Sequence, residues 1–245
     1  PQTQLLHSDR LRGAEHAAGH QPIHKSVQWG YQHAQDIADT FQNKRSGFTY
    51  ARGGNPTTAA LEAQINLLEQ GIGTISFATG MAAISTLILA LLKEGDHLVA
   101  SQYLFGNTTS LFTTLAAHGI SISYADVTDV EQVKAAIQPN TRMVFVETLA
   151  NPRTQIADLM GIGRVCQEKG LVYVVDATMS TPALLRAKEC GASIVMNSLS
   201  KGLAGHGAVL GGSLTDTGLF NWSNYPNIFE GYRVGDSKNW GLLQL

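Results

Sequence analysis

LVYVVDATMSTP (171–182) decides the fold class. Five apolar residues in a row, Leu171 to Val175, run straight into Asp176. An alternating pattern would mark a strand with one wet face. A short unbroken apolar run rich in Val marks a strand buried on both faces. MVFVE (143–147) repeats the pattern. Working outward, the same reading predicts strands at 74–77, 97–100, 120–124 and 193–197. Helical spacing between them predicts helices at 81–92, 108–118, 130–137 and 158–169. A further helix starts at Pro56, where proline suits a first turn. Strands alternating with helices imply parallel crossovers. The expected class is α/β, a mainly parallel sheet flanked by helices.

The chain has 245 residues, 44% of them hydrophobic and 15% charged, enough to bury a core and too apolar for disorder. A net charge of −2 gives no basic stripe, so neither nucleic acid nor an anionic membrane surface is an expected partner. No apolar run reaches the ~18 residues of a membrane span, and PQTQLLHSDRLRGAEH (1–16) has no signal-peptide core. Cys166 and Cys190 lack metal-ligand spacing and read as reduced thiols of a cytoplasmic protein. No metal is expected. Residues 1–55 are polar, weakly periodic and hold five of the eight histidines. They read as an arm, and 56–245 as the main domain.

Ligands of such sheets bind beyond the carboxyl ends of the strands. Four strand ends collect polar residues, Gly and Pro: Ala78-Thr79-Gly80-Met81, Glu147 to Pro152, Asp176-Ala177-Thr178, and Asn197 to Gly202. Lys201 is either a solvated loop lysine or a reactive lysine in a cleft, able to form a Schiff base with a carbonyl. Asp176 is either a structural hydrogen-bonding acid or an anion opposite a cationic ligand group. Together they suit pyridoxal phosphate, whose aldehyde a lysine holds and whose ring nitrogen an acid keeps protonated. Gly80 and Met81 open a helix, where free N–H groups attract an anion. Ser198 and Ser200, two apart, face the same way on an extended segment.

Five motifs in order carry a resemblance: YARGGNPTT (50–58), ATGMAAI (78–84), ETLANP (147–152), VVDATMSTP (174–182) and NSLSKGLAGHGAVLGG (197–212). Across about residues 45–215 the chain resembles the Cys/Met-metabolism pyridoxal-phosphate enzymes. These include cystathionine γ-synthase, cystathionine and methionine γ-lyases and O-acetylhomoserine sulfhydrylase. The resemblance implies the large domain of a fold-type I enzyme, with pyridoxal 5′-phosphate on Lys201. It implies Gly80, Met81, Ser198 and Ser200 around the phosphate, Asp176 at the ring nitrogen, Asn151 near the ring hydroxyl and Glu147 as a supporting acid. Tyr50 and Arg52 would reach a neighbouring subunit's phosphate in a homodimer or homotetramer. The implied reaction is γ-replacement on an activated homoserine, an amino-acid substrate: Lys201 takes the Cα proton and a sulfur nucleophile finally adds. A γ-lyase of the same fold, or an inactive cofactor-binding fragment or structural subunit, are the other readings.

Three departures bear on this. Phe105, in YLFGNT (103–108), stands where the family usually has tyrosine, and keeps ring stacking without the hydroxyl. Gly202 follows the lysine where the family commonly has tyrosine. The chain starts on Pro1 and ends at Leu245, so it is expected to be a trimmed or truncated enzyme whose C-terminal small domain, with the group that grips the substrate carboxylate, lies outside it. GLFNWSNYPNIFEGY (218–232) resembles aromatic inserts of the sulfhydrylase branch.

Overall fold

The computed structural model describes residues 2–10, 13 and 15–245. Two compact units divide it, Pro1–Leu67 and Leu68–Leu245.

The first unit holds α1 (Gln2–His7), α2 (Ala34–Phe41) and most of α3 (Pro56–Glu69). Within the stretch expected as an arm lie a helix of eight residues and local ties. The Tyr31 hydroxyl donates to the Phe48 carbonyl at 3.0 Å, Arg45 pairs with Asp36, and the Trp29 and Phe48 rings lie 5.7 Å apart.

The second unit is a seven-stranded sheet: β1 (Gly73–Phe77), β2 (His97–Ser101), β3 (Ser121–Ala125), β4 (Thr141–Glu147), β5 (Val172–Asp176), β6 (Ile194–Ser198) and β7 (Gly212–Asp216), in the order β1-β7-β6-β5-β4-β2-β3. Its helices are α4 (Gly80–Leu91), α5 (Gly106–Ala116), α6 (Val130–Ala136), α7 (Leu159–Lys169), α8 (Thr181–Leu184) and α9 (Trp240–Gln244). The strand pairs from β3 through β6 are parallel, as the apolar runs imply. Alternate residues of one strand feed opposite cores. Val172 and Val174 of β5 pack with Met143 and Phe145 on one face, and Tyr173 and Val175 pack with Val144 and Val146 on the other.

The strand β7 is the departure. It is antiparallel to both neighbours, β1 and β6, and all five of its residues are buried. GSLTD carries no apolar run, so its place comes from its neighbours rather than its own pattern. Trp222, Tyr225 and Ile228 of the aromatic stretch after it are buried as well. Phe220, Trp222 and Tyr225 meet edge to face at 4.7–5.8 Å. The Trp222 indole donates to Asp216 at 2.7 Å, and the Tyr225 hydroxyl to the Leu91 carbonyl at 2.6 Å.

Candidate active site

Three neighbouring strands end in polar residues: β4 in Glu147, β5 in Asp176 and β6 in Ser198. Parallel register puts Glu147 opposite Asp176. A cavity of about 290 Å³ opens beyond these ends. Its walls carry Gly80, Met81, Phe105, Asn151, Asp176, Ser198, Ser200 and Lys201. Eight candidate residues scattered over 122 positions of sequence thus meet in one hollow, together with Glu147.

At one wall α4 begins. Thr79 is its N-cap, and its hydroxyl accepts the Ala82 N–H at 3.0 Å. The first helical N–H groups have no intrahelical acceptor, so Gly80 and Met81 present theirs at the start of the helix, where an anion is favoured. Gly80 is needed for contact: a Cβ there would come within 2.9 Å of the Ser198 side chain. Gly212, which sequence reasoning did not single out, is needed more. A Cβ on it would lie 2.3 Å from the Thr79 carbonyl oxygen. Gly212→Ala is therefore expected to push β7 from the start of α4, costing about 1–3 kcal/mol of stability and loosening any anion held at Gly80. Thermal melts and cofactor titration check both effects, and an unchanged melting temperature would contradict the close approach.

Ser198 is fixed through its backbone, whose N–H donates to Thr178 Oγ1 at 2.7 Å. Ser200 Oγ accepts the Gly211 N–H at 3.0 Å. Lys201 lies in the turn after β6, exposed at the cavity. Backbone bonds hold that turn: Lys201 N–H to the Ser198 carbonyl at 3.3 Å and Gly205 N–H to the Lys201 carbonyl at 2.9 Å.

Two acids share the other wall. Asp176 accepts the Thr178 N–H at 2.9 Å, and burial raises its carboxyl above the usual carboxylate range. Glu147 is pushed up to about 7, first by burial and further by the charge of Asp176, while the Phe105 and Asn151 N–H groups pull it down. The Phe105 N–H reaches Glu147 Oε1 at 2.7 Å, so Glu147 fastens the residue that starts α5. No cationic side chain among the described residues contributes to either shift. The cavity therefore pairs an uncompensated acid wall with a helix N-terminus, and suits a ligand with a cationic ring and an anionic tail.

Tyr103 does not supply the hydroxyl that Phe105 lacks. Its OH donates to Asp126 at 2.7 Å, and it lines a neighbouring hollow with Gln102 and Arg153. Tyr50 and Arg52 belong to the first unit and line a hollow there, with the Arg52 guanidinium 4.9 Å from the Tyr50 ring centre.

The family model described as Cys/Met metabolism PLP-dependent enzyme matches residues 2–240. The chain belongs to that family. Pyridoxal phosphate is the cofactor around which the family is defined. Among relatives of the family, an O-acetyl-L-homoserine sulfhydrylase of Corynebacterium glutamicum is 37% identical over 224 residues, 91% of this chain and 51% of that protein. An L-methionine gamma-lyase of Fusobacterium nucleatum is 36% identical over 193 residues, 78% of this chain and 49% of the relative. A Campylobacter jejuni structure, described as an O-acetylhomoserine (thiol)-lyase with N′-pyridoxyl-lysine-5′-monophosphate, superposes with a TM-score of 0.88. It is 26% identical and covers 98% of this chain and 63% of its own. The chain spans about half the length of the curated relatives it matches.

Proposed function

We propose that this chain forms the cofactor-holding part of an enzyme that replaces the γ-substituent of an activated homoserine with a sulfur nucleophile, of the O-acetylhomoserine sulfhydrylase or cystathionine γ-synthase type. One observation carries the reading: Lys201, Asp176 and the Gly80–Ser198 cradle line a single cavity. Bound pyridoxal phosphate supplies an electron sink next to the substrate's Cα. Lys201 Nζ would hold the cofactor's aldehyde and would move the Cα proton. The Asp176 carboxylate, otherwise uncompensated, would hold the proton on the ring nitrogen. The Gly80 and Met81 N–H groups and the Ser198 and Ser200 hydroxyls take the phosphate. Phe105 and Asn151, which line the same cavity, would hold the ring. Glu147 positions Phe105.

The likeness to a methionine γ-lyase keeps elimination as the second reading. Ketone-acid release from methionine alone, against sulfide consumption with O-acetylhomoserine, separates the two. Activity with neither substrate in a protein that binds the cofactor would leave the structural-subunit reading. Two free, buried thiols, Cys166 and Cys190, support a cytoplasmic setting. Among the described residues no helix is long and apolar enough to cross a membrane.

Tyr50 and Arg52 extend the proposal to assembly. Residues 1–55 form the arm of a homodimer, or of a tetramer of two such dimers, and Arg52 reaches the phosphate in the neighbouring copy. A two-fold contact lets each arm complete the other site. Arg52→Ala is then expected to weaken cofactor binding by about 1.5–3 kcal/mol, the worth of a hydrogen bond to a charged group. Mixing Arg52→Ala with Lys201→Ala subunits restores part of the activity, because a mixed dimer has one site with both groups intact. A monomer that holds the cofactor at full affinity contradicts this arrangement.

A further inference from the structure

Glu69, at the end of α3, is fully buried, as is Asn197 of β6. Asn197 Nδ2 donates to Glu69 Oε1 at 2.7 Å. The remaining atom of each group, Glu69 Oε2 and Asn197 Oδ1, has no hydrogen-bond partner among the described residues. Both are acceptors if Glu69 is ionised, and two buried acceptors left without donors are costly. One proton on Oε2 would turn that oxygen into a donor for Asn197 Oδ1, and an acid–amide ring of two hydrogen bonds would satisfy both atoms. Asn197 directly precedes Ser198, so whatever fixes its side chain fixes the strand end that carries the serine.

We propose that Glu69 is held as a neutral carboxylic acid ringed to the Asn197 amide, and that it acts as a positioning residue, holding the end of β6 so that Ser198 meets the cofactor's phosphate. The proposal rests on the reading of Ser198 as a phosphate ligand. Burial moves Glu69 up to about 7, against the Asn197 hydrogen bond and the charge of Arg186, which both pull it down. Arg186 itself pairs with Glu189 at 3.6 Å. Near the same helix end, Lys188 donates to the Gln70 carbonyl at 2.8 Å. On β7, Ser213 is the register partner of Asn197, and Asp216 is occupied by the Gly218 N–H and the Trp222 indole. Since the folded value lies above the ordinary 4.5, the stability that the protonated acid contributes is full below about 4.5 and is lost as pH rises to about 7.

Glu69→Gln tests this, because glutamine closes the same ring and cannot ionise. Difference infrared spectra of wild type minus Glu69→Gln, on the acid side of pH 7, are expected to show a protonated-carboxyl carbonyl band. Equilibrium dialysis with pyridoxal phosphate is expected to give equal affinities there. On the alkaline side the variant binds roughly five-fold tighter than wild type, the factor that one internal hydrogen bond is worth. Glu69→Asp, too short to close the ring, binds weakly on both sides. A missing carboxyl band, or a Glu69→Gln affinity that tracks wild type across the range, overturns the proposal. Ser198→Ala separates the two readings. If it binds the cofactor as tightly as wild type, the phosphate assignment fails while the infrared result stands. If it weakens binding while Glu69→Gln tracks wild type, only the role of Glu69 fails.

Discussion

Lys201→Ala is expected to lose covalent capture of the cofactor completely, and roughly 10²–10⁴-fold of turnover, the range that a positioned proton-transfer group supplies. The fold should survive. The side chain is exposed, and the turn that carries it is closed by main-chain bonds that alanine retains. Exposed positions of this kind shift stability by about 0.5 kcal/mol or less. Borohydride treatment followed by peptide mapping reads the result directly. Wild type gains a pyridoxyl-phosphate group (cofactor less water plus two hydrogens) on the peptide holding Lys201, and the variant gains none. A variant that still fixes the cofactor would move the covalent role to another lysine.

Asp176→Ala is expected to cost roughly 10²–10³-fold in turnover, the usual loss when one preorganised electrostatic group is removed, with a much smaller loss of bound cofactor. The phosphate cradle at Gly80 and Ser198 is untouched by the change. Stability separates this from simple damage. Because burial raises the Asp176 carboxyl, its ionisation opposes folding without a cation present. That burden is absent below the ordinary carboxylate value and grows as pH rises through the folded one. Removing the acid lifts the burden, offset in part by the lost Thr178 contact. The cofactor-free variant should therefore melt no lower than wild type at neutral pH. A sharp drop in melting temperature, or full turnover, would remove the assigned role.

Much of this site was legible because strand ends announce themselves. Val-rich runs stop at Glu147, Asp176 and Asn197-Ser198, and the fold brings those stops to one edge. The loop around Lys201 leaves its role open, since a lysine beside serines and glycines is common in loops, and only the five ordered motifs together single it out. What escaped depends on partners distant in sequence. GSLTD has the composition of a turn and is a buried strand only because β1 and β6 flank it. Gly212 looks like one more loop glycine until the Thr79 carbonyl is set against it. Glu69 closes a plain amphipathic helix, and its significance lies 128 residues away at Asn197. In the aromatic stretch after β7, which resembles inserts of the sulfhydrylase branch, Trp222 and Tyr225 are core, because their polar atoms find buried acceptors.

The distance along the chain between β1 and β7 has a consequence for how the sheet is assembled. Thr74 on β1 and Thr215 on β7 share a hydroxyl contact of 2.8 Å across 141 residues of chain. During synthesis β1 has no edge to join until β7 has left the ribosome, and closing so long a loop is slow. The same strand brings Gly212 against Thr79 and Gly80. A nascent chain can thus bring β2 to β6 together before the strand that seats the start of α4 has been made.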